Sequence, residues 1–173
     1  MDSFIELIKI LGPASLVLYT AYLMLRGFLN KQLEENRLQI QQKNQEVVAP
    51  IRLQAYERVC LLLERISPNN LIPRLNNPEF SAKEFQQVLI SEIREEFNHN
   101  LSQQIYMSAD AWSYVSGAVE KLLSMINEVG NSITDEDKSL TLAQRIFEKY
   151  MQEQEDITKQ AIDFLKKEIQ TIF

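Results

Sequence analysis

Glu92, Glu95, Glu96 and His99 lie close together in one amphipathic stretch, and their types and spacing are those of metal chemistry. Glu96 and His99 have the i, i+3 separation with which carboxylate-bridged di-metal bundles present a carboxylate and an imidazole from one helix. Such a centre draws a second Glu-x-x-His from another helix, whereas His99 is the only histidine in the chain. The cluster therefore reads as a charged, solvated helix face, and no metal site is expected. Nucleophilic catalysis meets the same shortage, since Cys60 or any serine would need a histidine base and only His99 could serve. Cys60 reads as a small buried hydrophobe; a single cysteine forms neither an intramolecular disulfide nor a paired-cysteine zinc site. The four glycines, at positions 12, 27, 117 and 130, are too scattered to form a phosphate-cradling loop. No catalytic residue and no cofactor is assigned, and the chain is read as a non-enzyme. The rival reading is a metal-dependent enzyme or hydrolase with an unrecognised site near His99.

The most distinctive polar feature is a row of arginines, Arg52, Arg58, Arg65 and Arg74, interleaved with Tyr56, Glu57 and Glu64. Arg58 and Arg65 are seven residues apart, so a helix presents both guanidiniums on one side. One reading is a dock for an acidic peptide or for lipid phosphates. The other is pairing within the chain, because residues 75–173 supply seventeen Asp or Glu as intramolecular partners. Exposed pairs of that kind contribute only about 0–1 kcal/mol each. The candidate partner-binding surface is Arg52, Tyr56, Arg58, Arg65, Leu71, Ile72 and Arg74.

The elements that must position these residues begin with an apolar N-terminal segment. Ile10 to Leu25 carries no charge, and apolar character extends back to Phe4 with only Glu6 and Lys9 interrupting. As a helix, residues 4–25 reach across a hydrocarbon core of about 30 Å. The Leu, Ile and Val residues between 10 and 25 favour insertion by about 2–4 kcal/mol. The expectation is a transmembrane anchor over residues 1–26 that contacts the lipid bilayer through residues 4–25. Acidic Asp2 and Glu6, and the lack of a small-x-small site, argue against a cleaved signal peptide. Lys9 alone precedes the apolar run, while Arg26, Lys31, Arg37 and Lys43 follow it. The positive-inside rule then puts the N-terminus outside and the rest in the cytoplasm, which in a Gram-negative cell means the inner membrane.

Residues 27–49 read as a polar helical stalk with a thin apolar line at Leu33, Ile40 and Val47. Asn36, Lys43 and Asn44 stand where a coiled coil would need its second apolar row. A solvated spacer is the simpler reading, and homo-oligomerisation through the stalk is a further one. Pro50 is expected to interrupt or restart the helix. Residues 50–173 read as an all-helical domain with four amphipathic helices in a four-helix bundle-like arrangement. The first is about 50–66, with Ala55, Tyr56, Val59, Leu62, Leu63 and Ile66 on one face. Residues 67–80, with three prolines, read as a loop folded down over the bundle through Leu71, Ile72, Leu75 and Phe80. Ser81 and Glu84 form a capping box for the second helix, which runs to about Leu101 with Phe85, Val88, Leu89, Ile93, Phe97 and Leu101 inward. Ser108 caps the third, with its stripe of Trp112, Val115, Val119, Leu122, Ile126 and Val129, and Gly130 is expected to stop it. The fourth is expected over about 140–172 with a kink near Gln154, and with Ala143, Ile146, Phe147, Tyr150, Ile157, Ala161, Leu165, Ile169 and Ile172 in one phase.

Charge is uneven along the chain: residues 26–74 hold eight Lys or Arg against five Asp or Glu, and residues 75–173 hold nine against seventeen. An acidic distal part repels nucleic-acid phosphates, so no nucleic-acid partner is expected. The run Pro50-Ile51-Arg52-Leu53-Gln54-Ala55-Tyr56-Glu57-Arg58, followed by Leu62 to Leu71 (LLERISPNNL), resembles the signature of an uncharacterised family of small bacterial proteins with an N-terminal anchor. The segment Ala161 to Ile169 (AIDFLKKEI) is similar to the way such chains end. The resemblance implies a single-pass, helical membrane protein and carries no known activity. The reading that unites these features is a membrane-anchored interaction or assembly module that binds a protein partner.

Overall fold

The computed structural model describes residues 2–134, 136–153 and 156–172, without the side chains of residues 2–10, 14, 41, 44 and 172. It is all-α among the described residues: α1 (Asp2–Ile66), α2 (Pro68–Leu75), α3 (Ala82–Asn100), α4 (Ala109–Asn131), α5 (Ser139–Gln152) and α6 (Ile157–Ile172), with a 3-10 turn over Leu101–Tyr106. Contacts divide the chain into residues 1–49 and residues 50–173.

The first unit is one stretch of α1 in which every described side chain from Leu11 to Val48 is exposed, including Leu33, Ile40 and Val47. The hydroxyls of Ser15 and Thr20 turn back onto the carbonyls of Gly12 and Val17, each at 2.9 Å. Among the described residues no helix is long and apolar enough to cross a membrane. The side chains of Phe4, Ile5, Leu7, Ile8, Lys9 and Ile10, which begin the expected span, lie outside the described residues, as does that of Asn44. Pro50 does not interrupt α1 as expected. Proline removes one amide donor and crowds the carbonyl four residues back; here both Glu46 and Pro50 are exposed, so water can serve the freed carbonyl.

In the second unit the expected stripe of residues 50–66 is buried without exception, from Ala55 and Tyr56 through Val59, Leu62 and Leu63 to Ile66. Ser67 alone separates α1 from α2. There Ser67 Oγ and Asn70 Nδ2 each donate to the carbonyl of Glu64 at 2.8 Å, satisfying an acceptor that the end of α1 leaves open. The expected loop is in part a helix, because Pro68 occupies its first turn, where a missing amide costs nothing. Leu71 and Ile72 of α2 are buried, and Leu75 and Phe80 pack against the core.

Ser81 and Glu84 form the reciprocal capping box that starts α3, and Ser108 Oγ accepts from the Ala111 amide at 3.0 Å to start α4. Phe85, Leu89, Ile93, Val115, Val119, Leu122, Ile126 and Val129 fill the space where the two helices meet, and Phe97 stacks on Trp112 with centroids 5.5 Å apart. Leu101, expected inward, is exposed instead, because α3 gives way at Asn100 to the 3-10 turn and the four-residue phase ends there. Gly130 does not stop α4. The helix continues to Asn131 and no glycine has positive φ among the described residues. The position matters for close approach instead, since a Cβ there would run into the side-chain amide of Gln86 on α3.

The expected fourth helix is two, α5 and α6, so five long helical segments rather than four make the bundle. Gln154, where a kink was expected, lies outside the described residues. Beside it, Asp156 provides the physical reason for the break. Its Oδ1 accepts from the amide of Lys159 at 3.0 Å and from the hydroxyl of Thr158 at 2.8 Å, which is the work of an N-cap. Ile146, Tyr150, Ile157, Ala161 and Leu165 are buried, so the apolar phase survives the break; Ile172 falls outside the described side chains. Finally, Ala82 donates to the Asp137 carbonyl at 2.8 Å and Ser139 to the Phe80 carbonyl at 3.1 Å, clasping the entry to α3 against the entry to α5.

Candidate functional site

The arginine row is dispersed by the fold into different duties. Arg52 Nε donates to the carbonyl of Tyr106 at 3.1 Å. Tyr56 is buried, and its hydroxyl donates to Glu168 Oε1 at 2.6 Å, while Ser108 Oγ donates to Glu168 Oε2 at 2.9 Å. One carboxylate of α6 thus ties α1 to the capped start of α4. Burial first, and then the Glu168 carboxylate, push the Tyr56 phenol up to about 12, with Arg52 opposing. Arg65 Nε donates to Glu96 Oε1 at 2.7 Å, and Arg74 Nη1 to Glu92 Oε1 at 2.6 Å. Leu71 and Ile72 are core. Pairing within the chain therefore occupies Arg65 and Arg74, and Arg58 alone of the four arginines has no hydrogen bond or ion pair among the described residues.

Arg58 stands on the wall of a groove of about 530 Å³ between the last turns of α1 and the end of α3. From α1 come Arg58, Leu61 and Arg65; from α3 come Glu92, Glu95, Glu96 and His99. With Arg65 and Arg74 holding Glu96 and Glu92, the groups left for a ligand are Arg58, His99 and Glu95, the last of which also accepts from Ser91 Oγ at 3.0 Å. Between them lies Leu61, which is 54% exposed. Leu61 was absent from the sequence-derived surface; the signal was there, since it is apolar yet out of phase with the buried stripe at 55, 59, 62 and 66.

Chemically this is a shallow mixed-charge surface with one apolar contact. His99 is exposed, and the 92–96 carboxylates do converge on its groove, but among the described residues no three His, Cys, Asp or Glu side chains are arranged to hold a metal ion. Cys60 does not line the groove. It is half-buried, and burial, helped by Glu64 and opposed by Lys166, raises its thiol above the ordinary value, which suits packing better than nucleophilic attack.

Fold and groove together define a protein that is all-helical among the described residues, with a shallow mixed-charge groove between α1 and α3. The chain belongs to a family of unknown function, DUF7935, whose model matches residues 2–172. No curated protein and no solved structure matches it.

Proposed function

We propose that this protein is a membrane-anchored helical interaction module that receives a protein partner at the α1/α3 groove. The observation that carries this reading is Arg58: a guanidinium without a partner among the described residues, in a groove that exposed Leu61 also lines and whose other arginine is engaged. Arginine beside an apolar contact is the composition of an interface anchor. The anchor rests on the uncharged run from Ile10 to Leu25, in which the polar side chains of Ser15 and Thr20 return to backbone carbonyls, as lipid requires. The excess of Lys and Arg after that run favours a cytoplasmic bundle.

The test is affinity capture of the tagged full-length protein from native membranes, beside Arg58→Glu, with partners read by mass spectrometry. Arg65 is left alone, because Arg65→Glu would set two carboxylates against each other across α1 and α3. A specific protein depleted about tenfold or more by Arg58→Glu, equivalent to about 1.4 kcal/mol, is the expected result. Identical captures from the two forms would remove the groove's support.

A further inference from the structure

A second groove runs between α4 and α6 and shares no lining residue with the first. Its main part measures about 620 Å³ and adjoins a smaller part of about 230 Å³, both lined by Tyr114 and Gln160. Tyr114 of α4 stacks on Phe164 of α6, with ring centroids 4.2 Å apart and planes 18° from parallel, yet remains 47% exposed. Less than one turn further along α4, Gly117 leaves a notch: a Cβ there would meet nothing within 4 Å. Glycine inside a helix costs about 1 kcal/mol relative to alanine, and here no turn and no close packing within the chain requires it.

Three cations surround this aromatic platform: Lys121 from α4, and Lys159 and Lys167 from α6. None of the three ammonium groups has an ion pair among the described residues. Of the two carboxylates in the lining, Asp156 is already used by Tyr150, Thr158 and the Lys159 amide, which leaves Asp163. With three lysines against two carboxylates the lining has a small positive excess, in a domain, residues 50–173, that carries thirteen Lys or Arg against nineteen Asp or Glu.

We propose that the α4/α6 groove docks one acidic amphipathic helix of a partner protein. An apolar side chain of that helix enters the notch over Gly117 and packs against the Tyr114–Phe164 stack, while its carboxylates reach Lys121, Lys159 and Lys167. Groove recognition of an amphipathic helix needs this combination of an apolar seat and flanking complementary charge. Three lysines in an acidic domain are a poor match for nucleic acid, which is held by an extended positive surface. A bilayer surface would not follow a recessed notch. The inference stands on residues separate from the Arg58 groove, and either can fail without the other.

The test places a benzophenone photo-cross-linker at exposed Ser113, on the rim of the smaller part, in the full-length protein in its own cells, and maps the adduct to a peptide. The expected adduct is one segment rich in Asp and Glu with apolar residues at helical spacing. Its yield should fall about tenfold or more in Gly117→Leu, which fills the notch, and in Lys159→Glu. Neither variant should unfold below the parent: Lys159 is exposed, and Gly117→Leu replaces a helix-interior glycine where a Cβ meets nothing within 4 Å, so it should unfold somewhat above it. Absence of an adduct, an adduct on a basic or unpatterned segment, on lipid or on nucleic acid, or a yield indifferent to Gly117→Leu would each overturn the proposal.

Discussion

Tyr56 and Tyr150 each give a hydroxyl to a carboxylate, Glu168 and Asp156 respectively, and both phenols are pushed up to about 12, by burial first and by the carboxylate second. An unfolded tyrosine releases its proton near 10, so between about 10 and 12 the unfolded chain binds fewer protons than the folded one. Stability is intact below about 10 and falls as pH rises through that window. Denaturant midpoints measured from pH 8 to 11.5 should decline above about 10, and Tyr56→Phe should flatten part of the decline while costing about 1.5–3 kcal/mol at neutral pH for the lost bond to a charged acceptor. A midpoint that stays level to pH 11.5 would contradict the assignment. At this scale the sequence was legible only in part. Heptad spacing puts Arg58 and Arg65 on one side of a helix, but whether each meets a carboxylate depends on which helix lies alongside, and the Arg65–Glu96 contact is made across 31 residues. Glu168, which joins Tyr56 to Ser108, had no local signal at all.

Helices whose apolar residues recur in one phase between clear punctuation marks were readable: the stripe of residues 50–66, the Ser81 box and the Ser108 cap all have local causes. Ser81→Ala removes the acceptor for the Glu84 amide and should lower stability by about 1 kcal/mol in chemical denaturation, with Ser81→Gly costing less. Loss of less than a few tenths would mean that the clasp beside it, rather than the box, starts α3. The misread elements have causes that local pattern does not display. A single apolar phase runs through residues 140–172, so the break between α5 and α6 shows only as the capping use of Asp156. Three prolines argue for a loop at 67–80, yet Pro68 falls where a helix tolerates it and the burial of Leu71 and Ile72 completes α2. Gly130 looks like a terminator and instead makes room for Gln86.

The whole molecule combines a bundle whose class was evident from composition with an N-terminal segment proposed to be an anchor. About 2–4 kcal/mol of insertion energy stands behind the proposed anchor, and an arginine near its centre costs about 2.5–3.5 kcal/mol. The full-length protein should stay with the membrane pellet through high-salt washing, and Leu18→Arg should release a large fraction of it. Complete release of the unaltered protein by salt would make the association peripheral. The bundle itself is closed by the short clasp of Ala82 and Ser139 amides on the carbonyls of Asp137 and Phe80. Those two bonds lie at the ends of helices, where amides ordinarily exchange with water through local fraying. Here they join distant stretches of chain, so breaking them requires α3 and α5 to part and exposes their shared core. Folding meets the same constraint in reverse: the chain between the two arms of the clasp has to be closed against its entropy before either bond can form, so exchange at these two amides is expected to track the pairing of α3 with α5.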